Sequence, residues 1–264
     1  MSHKHLVVFG ATGQQGSSVV ATFLKDKIYI VWAITRNPDS EKAEVLAASS
    51  AQIIMAELND YKSILKKFEV HFWTPLPVDG LDEAFEREIQ QSKNLANAAA
   101  ATPILEHYVW SSLPSAAKGG VSVPHINSKA HIYEYIFSSL PALANKITVF
   151  WAGFYAENLG TFNHPVKLEE EGGSRILELW GEANGVGTVF IQKDVEEFSA
   201  SCYTGPVVGR ELALNMKYFE FAETWAKSGV VEVLRKEDLG IEDVELVSMK
   251  QAFERIDWSD ILKA

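Results

Sequence analysis

Apolar residues over the first 150 positions alternate between two rhythms, short strand-like runs and longer stretches with a helical repeat. βαβ units that feed a parallel sheet leave this pattern. The runs predict strands at His5 to Phe9, Ile28 to Thr35, Gln52 to Met55, Val70 to Thr74, His107 to Ser112 and Lys146 to Trp151. The clearest helix lies at Leu81 to Ala101, where Leu81, Phe85, Ile89, Ser92, Ala96 and Ala99 share one stripe that should cover a sheet face. Beyond Trp151 the rhythm breaks. Gly153 to Gly187 is rich in Gly, Glu, Asn and aromatics and reads as irregular structure with a short helix or two, in the manner of a lid. A βα pair is expected again at Thr188 to Ile191 and Asp194 to Tyr203. A short strand at Glu211 to Met216 and helices near Tyr218 to Lys227 and Ser248 to Leu262 should follow. The expected organisation is therefore α/β, with a first domain over 1–152. A mixed C-terminal part over 153–264 should complete the sheet and form a lid and substrate pocket. Pro114 to Pro124 (PSAAKGGVSVP) reads as a long mobile loop at the sheet end where α/β proteins bind ligands.

Charge narrows the partners. With 24 Lys+Arg against 35 Asp+Glu the formal charge is −11, which leaves no broad basic face for neutralising nucleic-acid phosphates. The single cysteine, Cys202, excludes an internal disulfide framework and suits a reducing compartment. The first residues show no secretory pattern, and apolar stretches fall well short of the roughly 20 residues a membrane helix needs. The expected address is the cytoplasm, with nuclear access, and neither a membrane nor direct nucleic-acid contact is expected.

The chemistry concentrates first in VVFGATGQQG, residues 7–16. Gly10, Gly13 and Gly16, with Thr12, Gln14 and Gln15 between and beside them, link a first strand to an amphipathic helix. Glycines permit the tight turn and the close approach of backbone to a dinucleotide pyrophosphate, whose charge then meets the N–H groups of the helix N-terminus. In the NAD fingerprint an acidic residue about 20 positions on accepts hydrogen bonds from the adenosine ribose. Here that count lands on Arg36, which cannot accept but whose guanidinium fork suits a 2′-phosphate. The expected cofactor is NADP(H) in preference to NAD(H), with Asp39 and Glu41 opposing the phosphate and Lys42 assisting it.

GATGQQG, ITRNP at 34–38, HYVWSSLP at 107–114, PHINSK at 124–129 and GFYAENL at 153–159, in that order, resemble the NmrA-like family of atypical short-chain dehydrogenase/reductases. The resemblance runs from about Lys4 to Leu159 and more loosely toward Ala213. It implies a Rossmann-type doubly wound parallel sheet with a small C-terminal substrate part, and NADP(H) binding. Members act either as reductases or as redox-responsive regulators without dehydrogenase activity. It also implies that the Gly10 to Gly16 loop holds pyrophosphate, Arg36 the 2′-phosphate, Thr74 to Leu76 the ribose and nicotinamide side, and Lys129 the nicotinamide ribose. Two positions depart from the family pattern: Ala56-Glu57 replaces Gly-Asp after the third strand, and Trp151-Ala152 replaces Arg-Pro. The segment around the fourth strand is also shorter than the family's.

Short-chain dehydrogenases transfer hydride with a tyrosine acid four residues before a lysine that lowers its pKa. No tyrosine of this chain has a lysine at that spacing, and His125 stands where the tyrosine would precede Lys129. Ser112, His125 and Lys129 are the candidate catalytic residues, Ser112 to orient a carbonyl and His125 as an acid. Trp73, Trp151, Phe154, Tyr155 and Asn158 form a candidate pocket for a flat apolar group. No metal-ligand spacing, HExxH, GxSxG or P-loop is present. The reading is an NADP(H)-binding redox or cofactor sensor acting through a regulatory protein partner. Its alternative is an NADPH-dependent reductase of a small aromatic ketone, quinone or enone.

Overall fold

In the computed structural model of the chain, the described residues are 3–61, 64, 81–153, 155–160, 175–189, 191, 193–202, 205–227, 233–243 and 246–262. The first βα units form as the pattern requires: β1 (Lys4–Phe9), α1 (Gln14–Phe23), β2 (Tyr29–Thr35), α2 (Glu41–Ala48) and β3 (Gln52–Met55). All three strands are parallel, in the order β1-β2-β3. Ser40 caps α2 by accepting from the Ala43 N–H, which satisfies one of the helix's unpaired donors. α3 (Leu81–Ala100) follows, then β4 (Tyr108–Ser112), α4 (Pro124–Ser139), the short α5 (Pro141–Ala144) and β5 (Ile147–Trp151). β4 and β5 pair in parallel, with Ser112 opposite Trp151 at their C-terminal ends. The strand expected at Val70 to Thr74 lies outside the described residues.

Burial on both faces explains why the strands read as near-continuous apolar runs. Val7, Phe9, Ile34, Tyr108 and Trp110 pack with Ile89, Leu95, Ala96 and Ala99 of α3 and Ile132 and Ile136 of α4. Val8, Val31 and Ala33 pack instead with Val20 of α1 and Leu46 of α2, and Val109 joins them. The described strands form two parallel sheets, β1-β2-β3 and β4-β5, and alternate residues of β1 to β4 serve opposite helical layers, as in a doubly wound fold. Of the predicted α3 stripe, Ile89, Ser92, Ala96 and Ala99 are buried and Phe85 is partly so. On α4, Ile126, Ile132 and Ile136 are fully buried, and at about 1.5–3 kcal/mol each they anchor the helix that carries His125 and Lys129.

The chain divides into two compact units, Met1–Ala152 and Gly153–Ala264. In the second, α6 (Arg175–Asn184), α7 (Val195–Ser201), α8 (Pro206–Lys227), α9 (Met249–Arg255) and α10 (Ser259–Leu262) are all helical. Trp180, Phe253 and Trp258 build its core, and the Trp258 indole donates to the Phe253 carbonyl at 2.7 Å. Two expectations are corrected here. Glu211 to Met216, read as a strand, lies inside α8, and Thr188, Val189 and Ile191 carry no strand. Among the described residues no strand follows Trp151, so no residue of the C-terminal part is seen completing the sheet. Among the same residues no helix is long and apolar enough to cross a membrane.

Candidate functional site

β1 delivers the chain into the glycine turn, and each end of that turn needs glycine for a different reason. Gly10 has φ of +65°, the left-handed region where a side chain is strained. Gly16 is in the first turn of α1, where a Cβ would overlap the Gly10 carbonyl oxygen and lie 2.8 Å from its carbon. The close approach of helix to turn therefore depends on the missing side chain. Gly13 occupies the N-cap with extended backbone and offers no side-chain acceptor. Its N–H turns back to the Gly10 carbonyl at 2.9 Å, and the Ser17 N–H to the Gly13 carbonyl at 2.9 Å.

Between those two bonds, the N–H groups of Gln14, Gln15 and Gly16 have no acceptor among the described residues. The first turn also carries no acidic side chain. Unpaired donors plus the positive end of the helix dipole make this an anion cradle, and a pyrophosphate fits its chemistry. Thr12 lines the turn, half-buried. The Gln15 side chain is drawn toward β4, its Oε1 accepting from the Ser111 hydroxyl at 3.0 Å.

Arg36 follows β2 directly and is exposed, with no hydrogen bond or ion pair among the described residues. The turn beyond it is fixed locally, with Thr35 and Asn37 bonded to each other and the Asp39 N–H on Asn37 Oδ1 at 3.2 Å. A rigid turn that leaves a guanidinium uncommitted is compatible with a phosphate ligand. The Glu57 that departs from the family pattern accepts from the Asn59 amide at 3.4 Å. Asn59 in turn accepts from Gln91 of α3 at 2.9 Å, so this turn is tied to a helix.

The other end of the site is built from β4 and α4. Successive strand residues point to opposite faces. Ser111 accordingly meets Gln15 on the α1 side. Ser112, only 2% exposed, donates from the α4 side to the Lys129 carbonyl at 3.3 Å. Lys129 does not face open solvent. Its ammonium pairs with Glu88 Oε1 of α3 at 2.6 Å and donates to the His125 carbonyl at 3.0 Å. The second Glu88 oxygen accepts from the Ser128 hydroxyl at 2.7 Å. Sequence reasoning missed Glu88, because its helix was read for its apolar stripe and the partner lies 41 residues downstream.

The expected mobile loop has internal structure. Ala116–Gly119 form a 3-10 turn closed by Gly120 at φ +71°, and Ala116, Val121 and Val123 are buried. Asn127 Oδ1 of α4 accepts from the Ala117 N–H at 3.3 Å and ties the segment to the helix.

Of the aromatic candidates, Trp151 is half-buried at the end of β5, beside Ser112 across the strand pair. Tyr155 and Asn158 belong to the second unit, where the Asn158 N–H donates to the Tyr155 carbonyl at 3.0 Å. Burial, with Glu157 nearby, pushes the Tyr155 phenol above its usual pKa, the opposite of what a proton donor near neutrality needs. Trp73, Thr74 and Phe154 lie outside the described residues. Among those described, no group of His, Cys, Asp and Glu could hold a metal ion.

A doubly wound parallel sheet with an open, glycine-bounded helix N-terminus after β1 defines a Rossmann-type α/β protein. The chain belongs to the NmrA-like family, whose profile matches residues 2–197. It is 30% identical over 218 residues to the NmrA-like family domain-containing oxidoreductase himF of Aspergillus japonicus, covering 76% of this chain and 64% of that protein. Across the first three curated relatives the aligned part spans 47% to 64% of their length. Among solved structures it is similar to NmrA, a negative transcriptional regulator, in complex with NADP, with a TM-score of 0.68 and 16% identity. That match covers all of this chain and 98% of the other. The NADPH-dependent quinone oxidoreductase QOR2 of Escherichia coli, complexed with NADPH, matches with a TM-score of 0.62 and 16% identity, covering 94% and 98%. Both structural likenesses are of fold.

Proposed function

We propose that this NmrA-like chain binds NADP(H) and works as a redox or cofactor sensor that reports occupancy to a regulatory protein partner. The single observation that carries the sensing role is the commitment of the groups at the catalytic positions. Ser112 Oγ donates to a backbone carbonyl, Lys129 Nζ is paired with a carboxylate, and His125 stands where a tyrosine acid would precede Lys129. In this reading the N–H groups of Gln14, Gln15 and Gly16 hold the pyrophosphate, Arg36 the 2′-phosphate, and Thr74 and Lys129 the nicotinamide ribose. When bound, the nicotinamide supplies a hydride; the chain's own residues supply binding and orientation. The 114–124 segment, tethered by Asn127, is the surface through which occupancy is read. A protein partner is favoured over nucleic acid by the charge of −11. The single cysteine supports a reducing, cytoplasmic setting.

The test is thermal stabilisation. At 100 times its dissociation constant NADPH should add about 2.7 kcal/mol, with NADH far behind, and proteolysis within 114–124 should slow. Equal shifts from the two nucleotides sink the NADP assignment.

A second reading, the NADPH-dependent reductase of a small aromatic ketone, quinone or enone, is favoured by one observation. Trp151 pairs in register with Ser112 at the C-terminal ends of β5 and β4, which brings an aromatic residue and a hydroxyl residue to one sheet edge. The similarity to himF and to the quinone oxidoreductase, both oxidoreductases, is consistent with it.

A further inference from the structure

Lys129 reaches its position through a carboxylate from a different helix, and that geometry assigns a role. The ammonium has three N–H donors. One goes to Glu88 Oε1 at 2.6 Å and one to the His125 carbonyl at 3.0 Å, and the third has no acceptor among the described residues. Glu88 does more than neutralise. Its other oxygen takes the Ser128 hydroxyl at 2.7 Å, while that hydroxyl also reaches the His125 carbonyl at 3.1 Å. Both charged side chains are largely enclosed, Lys129 at 11% and Glu88 at 19% exposure, so solvent competes weakly for either. A lysine stem has four rotatable bonds, and two fixed acceptors on its nitrogen restrict both the rotamer and the direction left to the remaining proton. The Lys129 carbonyl is meanwhile tied to Ser112 at the end of β4.

We propose that Glu88, with Ser128 assisting, is a positioning residue for cofactor binding: it holds the Lys129 ammonium so that its third proton faces the ribose hydroxyls of NADP(H). This rests on the NADP(H)-binding reading above and adds to it a residue of α3. Glu88 acts only through Lys129 and touches no ligand itself.

The experiment is a double-mutant cycle on NADPH affinity, read by nicotinamide fluorescence with the full chain. Glu88→Gln should weaken binding about tenfold, Glu88→Asp should recover most of it, and Lys129→Met should weaken it by a similar factor. In the Lys129→Met background, Glu88→Gln should change affinity less than twofold. Were Glu88→Gln to fail to fold, Ser128→Ala serves in its place, with a two- to threefold loss that vanishes on Lys129→Met. The proposal is overturned if the loss persists in that background, which marks Glu88 as structural only. Unchanged or tighter binding by Glu88→Gln overturns it too, the latter meaning that Glu88 masks Lys129. Absence of NADPH binding by the unmutated chain removes the functional reading itself, and with it this inference. Binding by the unmutated chain with an indifferent Glu88 removes the inference alone.

Discussion

The two ends of the site differ in how much of their hydrogen-bonding capacity is left over. After β1, three backbone N–H groups have no partner among the described residues, and neither has the Arg36 guanidinium after β2. After β4, the Ser112 hydroxyl is bonded to the Lys129 carbonyl, while the Ser128 hydroxyl and the Lys129 ammonium are bonded to Glu88 and the His125 carbonyl. Unspent donors at a helix N-terminus are available to an anion without first breaking anything. The hydroxyls of Ser112 and Ser128, whose single donors are already used, must exchange partners before they can serve a reacting carbonyl, and that exchange raises the cost of catalysis. On the proposed reading, a fold can keep donors open to a cofactor at one end of a dehydrogenase-like site while the hydroxyls at the other end are bonded internally.

The harshest way to break the open end is Gly16→Ala. Its Cβ would meet backbone, which cannot rotate away, so a loss of about 3 kcal/mol is expected. In melting experiments that is a fall of roughly 6–12 °C for a chain of this size, with NADPH binding abolished. Next in size is Arg36→Ala, which removes no contact of the described residues and should leave the melting point unchanged. It should cost about 2 kcal/mol of NADPH affinity, roughly thirtyfold, and leave NADH affinity where it was. A loss shared equally by both nucleotides would place Arg36 away from the 2′-phosphate.

Alkaline pH probes the layer beneath the closed end. Burial holds the Tyr108 phenol far above its ordinary value near 10, since the charged form has no solvation there. Below pH 10 the residue is neutral folded or unfolded, and stability is unaffected. Above it the unfolded chain ionises and the folded one does not, so stability should fall by about 1.4 kcal/mol per pH unit from this group. Tyrosinate absorbance from Tyr108 should then rise only together with unfolding. The mildest change is Ser112→Ala, which removes one donor at 3.3 Å and should cost about 1 kcal/mol with NADPH affinity intact. A large loss of affinity from Ser112→Ala would reopen the catalytic reading.

Much of this arrangement was legible in the residues. β3 appears at the predicted Gln52–Met55, and α3 carries the predicted stripe, because period is a local property of the chain. The strand predicted at Glu211 to Met216 failed for a physical reason. Glu211, Leu212, Ala213, Leu214 and Met216 alternate weakly but are strong helix formers, and they continue the helix that starts at Pro206. Length settles such short apolar runs, and the run was read without its flanks. At the candidate site, the need for glycine at 10 and 16 was legible because it follows from backbone conformation, and the role proposed for Arg36 follows from spacing along one βα unit. Glu88 could not, since its role depends on α3 lying against α4, a tertiary fact that no spacing within either helix encodes. The same contact leaves the Lys129 side chain largely enclosed.

The most direct measurement mixes the protein with NADPH and a quinone and follows nicotinamide fluorescence over hours. The account predicts a rise on binding and then a constant signal, matching a control without quinone. A protein-dependent decay that His125→Ala and Lys129→Met abolish would contradict it and make this chain a reductase.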